Sequence, residues 1–366
     1  MTSRPVLDRR ALSRATLARQ LLLERSALDP VAAVGHLVGL QAQTPQTWYV
    51  GLWSRLRAFD AVALGAALED RRLVRVPAMR STIHLLTAAD ALALRPLVDG
   101  VIERSTLGQF GRHLRDLDRA ALVTTVRELT EQEPRTAAEL GRALAERFPG
   151  RDPNALAQIA RAWLPMVQAP PRGVWGRSGQ ARQAPLDTWL GRAVTAAPVA
   201  EVVLRYLGAF GPASARDAQV WSGLTHLAEV LDGLRDRLVV LADEHGRELF
   251  DLPDAPRPDP GTPAPVRFLY DFDNLLLSHA DRSRVVGGAD YTAHGFGGDS
   301  GEQPRSVLVD GTVGATWRVA RARGTAVLTV RAFRPLTPGE RADVEAEGAA
   351  LLAFLHPRDR PEVRLA

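Results

Sequence analysis

The sequence predicts a mainly α chain with small β-hairpins, an α+β fold, and three observations carry that expectation. Amphipathic helical periods dominate its first two thirds. Short extended stretches turned at Gly or Pro interrupt them, each after a run of helices. Beyond a Pro- and Asp-rich connection at 252–265 the pattern becomes strand-rich and closes on one long helix.

Residues 11–24 read as an amphipathic helix. Asp29 and Pro30 start the next, as cap and first helical position, and Val31, Val34, Leu37 and Val38 line one face of it. That helix runs into Gln41-Ala42-Gln43-Thr44-Pro45. Helices over 47–57 and 60–70 follow, then two short strands over 73–77 and 82–86. Several helices followed by a small hairpin is the order of a winged helix, with the hairpin as its wing. The order recurs with helices at 119–131, 136–147 and 153–166 before 167–177, a stretch of wing composition whose turn continues to Gln180. The third copy has a helix over 201–212 stopped by Gly211-Pro212, a helix and turn over 214–224, and a helix over 227–234. Strands at 238–242 and 248–251 close it. Three tandem winged-helix units are therefore expected, at 1–118, 119–192 and 193–252, with an α/β segment at 253–366 packed on them. In that segment 267–270 and 306–309 read as strands and 313–322 with 325–333 as a hairpin. Residues 336–355 read as a helix capped by Thr337, with Glu340 as its box partner. The Gly-rich 287–303 reads as a mobile loop.

Composition narrows the chemistry. The apolar fraction of 46% and charged fraction of 24% are those of an ordinary globular protein. No apolar run reaches the roughly 18–20 residues of a membrane span, and no signal core follows the first charges. A cytoplasmic, nucleoid-associated location is expected. Without cysteine there is no disulfide, thiolate metal site or cysteine nucleophile, and the eight histidines are scattered. No metal and no cofactor are expected. Lysine is also absent, so all 46 basic residues are arginine. A GC-rich codon usage accounts for part of this, but the consequence is chemical: no lysine Schiff base can form. A net charge of +4 does not by itself announce a nucleic-acid partner. A groove lined by arginine still binds phosphate whatever the far face carries.

Four segments stand in one order: Leu40 to Pro45, Pro77 to Leu85, Pro170 to Arg182, and Phe272 to Val285. Together they resemble the bacterial winged-helix DNA glycosylases of the AlkZ/YcaQ type, over residues 8–355. The resemblance implies three tandem winged helices around a basic concave channel. It also implies hydrolysis of the N-glycosidic bond of alkylated purines, in some members those that crosslink two strands. The catalytic motif of that family is Gln-aliphatic-Gln in the AlkZ branch and Gln-aliphatic-Asp in the YcaQ branch. Here it reads Gln41-Ala42-Gln43. It looks like the AlkZ branch, whose members are linked to self-resistance against DNA-alkylating natural products, and Gln41 and Gln43 become the candidate catalytic residues.

A purine alkylated at N7 is cationic, so its glycosidic bond is already weakened. What is left to catalyse is water placement and stabilisation of an oxocarbenium-like sugar. An amide is no base near neutral pH, but its carbonyl can align a water. Gln43 is assigned to the water and sugar, Gln41 to the water or the lesion. Both can face one cavity only if the segment is extended, since i and i+2 diverge by about 200° on a helix; Pro45 biases Thr44 away from helix. Without lysine, a monofunctional enzyme with no AP-lyase activity is expected.

Arg75, Arg80, Arg172, Arg177, Arg282 and Arg284 are candidate DNA phosphate contacts. An ordinary surface position or a carboxylate partner is the other reading of each. His84 reaches the channel or is a hydrogen-bonded structural histidine; Trp175 contacts DNA or packs its own wing. Asp273 and Asn274 cap the helix after them or touch DNA. The poverty in aromatics, 6% of residues, favours an open groove over a tight flipped-base pocket. The partner is double-stranded DNA with alkylated purines, engaged by a monomer. The rival is a non-catalytic winged-helix DNA-binding protein or regulator.

Overall fold

The computed structural model describes residues 4–287, 292–296 and 303–366. Most of the expected loop at 287–303 lies outside them. Helices and hairpins stand where the periodicity puts them. Asp29 accepts hydrogen bonds from the amides of Val31 and Ala32 and opens Pro30–His36 with proline at its first position. Thr337 and Glu340 form a reciprocal capping box at the start of Pro338–Leu355. The first helix is shorter than its pattern and spans Arg9–Arg19, because Leu21 takes a positive φ of 57° and turns the chain away.

The hairpins assemble into larger sheets than any one segment suggests. Leu73–Pro77 pairs with Ile83–Thr87, and across a single residue pair, Arg75 with Gln168, with Met166–Ala169 of the next hairpin. A two-residue strand, Leu40–Gln41, adds to the other side of Ile83–Thr87, so the glutamine motif lies at one edge of a six-stranded sheet. The hairpin Val239–Asp243 with Glu248–Asp251 is joined in parallel by Val6–Leu7 from the start of the chain. Thr312–Ala322, Thr325–Ala332 and Arg305–Val309 form a third sheet with Arg267–Phe268 and Arg360–Leu365.

The wing-like stretch over 167–177 is a strand end followed by a long turn. The strand ends at Ala169, and its partner strand begins only at Arg182. The intervening loop is held by tertiary contacts instead: the Gln46 amide donates to the carbonyls of Val174 and Arg177. Gly173, at φ +91°, lies so close to Arg75 that a Cβ would sit 2.8 Å from the arginine Cδ.

Two cores fix the motif. In one, Trp48, Tyr49 and Leu52 pack with Phe268, Trp317, Leu328 and Leu351 of the C-terminal segment. In the other, Val76 and Leu86 of the first hairpin pack with Tyr206, Phe210 and Trp221. The glutamine strand is clamped between these two bodies of apolar side chains.

Candidate active site

The extended geometry demanded by Gln-x-Gln is present at Gln41. Its strand partner is His84, and residues directly opposite in an antiparallel pair project to the same face. The turn between Leu73–Pro77 and Ile83–Thr87 brings in a third side chain. Arg80 takes φ 56° and ψ 21°, a left-handed conformation that costs a non-glycine residue of order 1–3 kcal/mol. From there its Nη2 donates to Gln41 Oε1 at 2.9 Å and its Nη1 to the Trp221 carbonyl at 2.6 Å.

The amide orientations follow from chemistry. Arginine carries only donors, so the Gln41 oxygen must face Arg80. Gln43 folds its side chain back on the sheet, where its Oε1 accepts from the Ile83 amide at 3.1 Å. A backbone N–H is also only a donor, so this oxygen is assigned too. Gln41 is 4% exposed, whereas Gln43 lies open. The open amide offers its second lone pair and two N–H donors to whatever approaches.

Three buried groups hold the motif backbone. Asn274 Oδ1 accepts from the Gln41 amide at 3.2 Å and its Nδ2 donates to the Gly39 carbonyl at 2.6 Å. The Tyr270 hydroxyl donates to the Gln41 carbonyl at 2.9 Å, and Arg75 Nη2 donates to the Ala42 carbonyl at 2.8 Å. Asn274 is positioned by its neighbour: Asp273 caps the turn at Leu275 and meets Arg55 in a bidentate ion pair at 2.7 and 2.8 Å. The Phe272–Val285 segment therefore works by bracing the motif. Sequence reasoning singled it out but missed Tyr270 and Asn274 as braces, because nothing local ties them to residue 41. Asp271 touches the motif loop by accepting from Thr47 at 2.6 Å, and no hydrogen bond links it to either glutamine.

His84 is 1% exposed, and its Nδ1 lies 3.0 Å from the Thr82 carbonyl. Only a protonated Nδ1 can donate there, which leaves Nε2 as the acceptor beside Arg80, 3.5 Å from Nη2. Burial, with the Arg80 charge second, pushes its pKa down to about 3, so the ring is neutral at ordinary pH. Burial also lowers Arg80 to about 10, with the Arg282 charge adding to the effect. At neutral pH Arg80 is still a cation.

Several expected DNA contacts are corrected by burial. Arg75 and Arg284 are 1% and 5% exposed; Arg284 bonds Thr16 and the Pro212 carbonyl. Neither has a face to offer a phosphate. His84 is buried for the reason just given. Trp175 packs between Tyr49 and Phe354, at 4.8 and 5.2 Å between ring centroids, and ties its loop to the helices that carry them. Arg80 places two of its five N–H groups on Gln41 and the Trp221 carbonyl. Arg177 is exposed but pairs with Glu69, and Arg172 donates to the Gly179 carbonyl at 3.0 Å. Arg282 is exposed and has no side-chain partner among the described residues. Beside the motif loop lies a cavity of about 680 Å³ lined by Gln46, Thr47, Trp175, Tyr270 and Trp317 among others.

A family model for AlkZ-like DNA glycosylases matches residues 34–354. The chain belongs to the AlkZ-like DNA glycosylase family. A solved structure of the Streptomyces sahachiroi DNA glycosylase AlkZ superposes with a TM-score of 0.77, covering 99% of this chain and 100% of that one at 22% identity. That likeness is one of fold. Among curated proteins none matches significantly. As a member of this family the chain is a DNA glycosylase with DNA as its partner. Groups of histidine and carboxylate able to hold a metal are not found among the described residues. No helix there is long and apolar enough to cross a membrane.

Proposed function

We propose that this glycosylase hydrolyses the N-glycosidic bond of cationic N7-alkylated purines in duplex DNA, without a covalent enzyme intermediate and without AP-lyase activity. The observation that carries the proposal is the pair of amides: each oxygen is tied to a donor-only partner, Arg80 or the Ile83 amide, and neither glutamine bonds a carboxylate. Gln43 uses its second lone pair to align the attacking water. Gln41, polarised by Arg80, works through its N–H groups and orients that water or the lesion. Such a site has no strong acid or base, which suits a leaving group that is already cationic and departs as a neutral base.

A lysine-free chain supports the monofunctional reading, since a side-chain Schiff base to the sugar has no amine to form it. The cavity beside the motif loop supports adducts bulkier than a methyl group. An interstrand crosslink joined through two such purines would be unhooked by the same step at either one. Arg282 is proposed as a phosphate contact, and a monomer as the active form.

Incubation with a duplex carrying one N7-methylguanine tests the proposal. Free base and an unbroken strand with an abasic site are expected. Borohydride treatment during turnover should trap no adduct; a covalent protein–DNA product overturns the mechanism.

A further inference from the structure

We propose a second DNA-binding site, a pocket on the far side of the Arg80–Ser81 turn that takes one backbone phosphate. It rests on DNA being the substrate. The pocket has a volume of about 140 Å³ and is lined by Ser81, Ser105, Thr106, Gln109, Gln158 and Arg161. At roughly 30 Å³ per water it has room for four or five waters, or for one tetrahedral oxyanion.

Its charge is one-sided. Arg161, on the helix Pro153–Trp163, donates to Gln158 Oε1 at 2.9 Å, and it has no ion-pair partner among the described residues. Burial lowers its pKa, with no acidic neighbour to offset the effect. Arg95, itself paired with Asp99, stands close enough to Arg161 for the two cations to repel, and its Nη2 donates to the Arg161 carbonyl at 3.0 Å. The polar lining beside it is hydroxyls and amides, Pro77, Ile102 and Phe110 supply an apolar wall, and no carboxylate lines the cavity. A half-buried guanidinium without a counter-ion, ringed by neutral donors, is chemically a phosphate receptor.

The placement gives the pocket its use. Ser81 adjoins Arg80, whose guanidinium orients Gln41. Thr106 and Ser105 come from the helix Asp99–Phe110, which packs on the same turn. A phosphate seated here is held one residue away from the group that sets the motif, so the strand is registered against Gln41 and Gln43.

The test is the salt dependence of binding to undamaged duplex, where base release plays no part. Arg161→Gln removes the cation. Ser105→Asp, at an exposed position, supplies a carboxylate for it and keeps the test open if the first variant folds poorly. Leu107→Asp, on the exposed side of the same helix, controls for added negative charge. Losing one phosphate contact reduces the slope of log Kobs against log salt by about 0.9. That reduction is expected in the first two variants, beyond any change in the control. Inorganic phosphate should raise the melting temperature of the native protein more than that of either variant. An unchanged slope overturns the proposal. If only the response to inorganic phosphate is lost, the pocket takes free anions and the DNA assignment is overturned; base release by the native protein is unaffected by either result.

Discussion

Arg80 separates two accounts of the site at the scale of single residues. As a phosphate contact, its loss would weaken DNA binding and flatten the salt slope. As the orienter of Gln41, its loss would slow the chemical step at saturating DNA. Its donors go to Gln41 and the Trp221 carbonyl, so the second outcome is expected for Arg80→Met. A hydrogen bond to a charged group is worth about 1.5–3 kcal/mol, which predicts a single-turnover rate lower by roughly 10–150-fold with the salt slope unchanged. The neutral histidines make a second prediction. His84 and His279 both have pKa values pushed down to about 3, by burial first. The folded protein therefore refuses a proton that the unfolded chain binds near pH 6.5. Their contribution is complete above pH 6.5 and is lost as pH falls toward 3. Between pH 7 and 5.5 their titration should remove stability on the order of 1 kcal/mol, seen as a lower urea midpoint. An equal midpoint at both values would show that the rings take up protons freely.

At the scale of elements, the brace from 270 to 276 does more for the motif than the motif's own strand, which is two residues long. Asn274→Ala leaves the Gln41 amide and the Gly39 carbonyl buried without their partner. A cost of about 2–6 kcal/mol is expected in urea unfolding, at about 1–3 kcal/mol for each of the two unsatisfied groups. Asp273→Ala strands the Arg55 guanidinium in the core and should cost about 3–5 kcal/mol. If Asn274→Ala keeps full stability and full base release, the brace is incidental. The elements themselves were largely legible. Asp29-Pro30 and Thr337 with Glu340 mark helix starts by local chemistry that survives any tertiary context. The extended motif followed from Pro45 and the need for both amides on one side. The strand Arg360–Leu365 was not legible: with two arginines, a proline and a glutamate among its six residues, it reads as a polar tail and is a strand only because Thr325–Ala332 offers it a free edge.

Across the whole molecule, the arginines show where sequence reading stops. With no lysine in the chain, every cationic task falls to one residue type, structural and functional alike. Arg19 is buried against Asp251 at 2.5 and 2.9 Å, and Arg55 against Asp273. Each partner lies more than two hundred residues away, so no window on the sequence tells these arginines from Arg282. The same long range hides the joining of two hairpins through Arg75 and Gln168. That contact places Arg75 under the Ala42 carbonyl instead of on the surface. The candidate catalytic pair, by contrast, is a reading of the motif, to which the structure adds which atoms are open. Gln43 is exposed with one lone pair committed; Gln41 is buried with its oxygen committed to Arg80.

The most direct measurement is single-turnover release of N7-methylguanine from duplex DNA by the native protein and by Gln43→Ala, with DNA binding and urea stability recorded for both. Release by the native protein is expected, and for Gln43→Ala a loss of about a hundredfold or more, the scale of removing a positioned polar group from a reacting centre. Binding and folding should be unchanged, because Gln43 is exposed and the hydrogen bond of its side chain, among the described residues, is to the Ile83 amide. Release by Gln43→Ala at the native rate would contradict the central claim that an amide at residue 43 places the water.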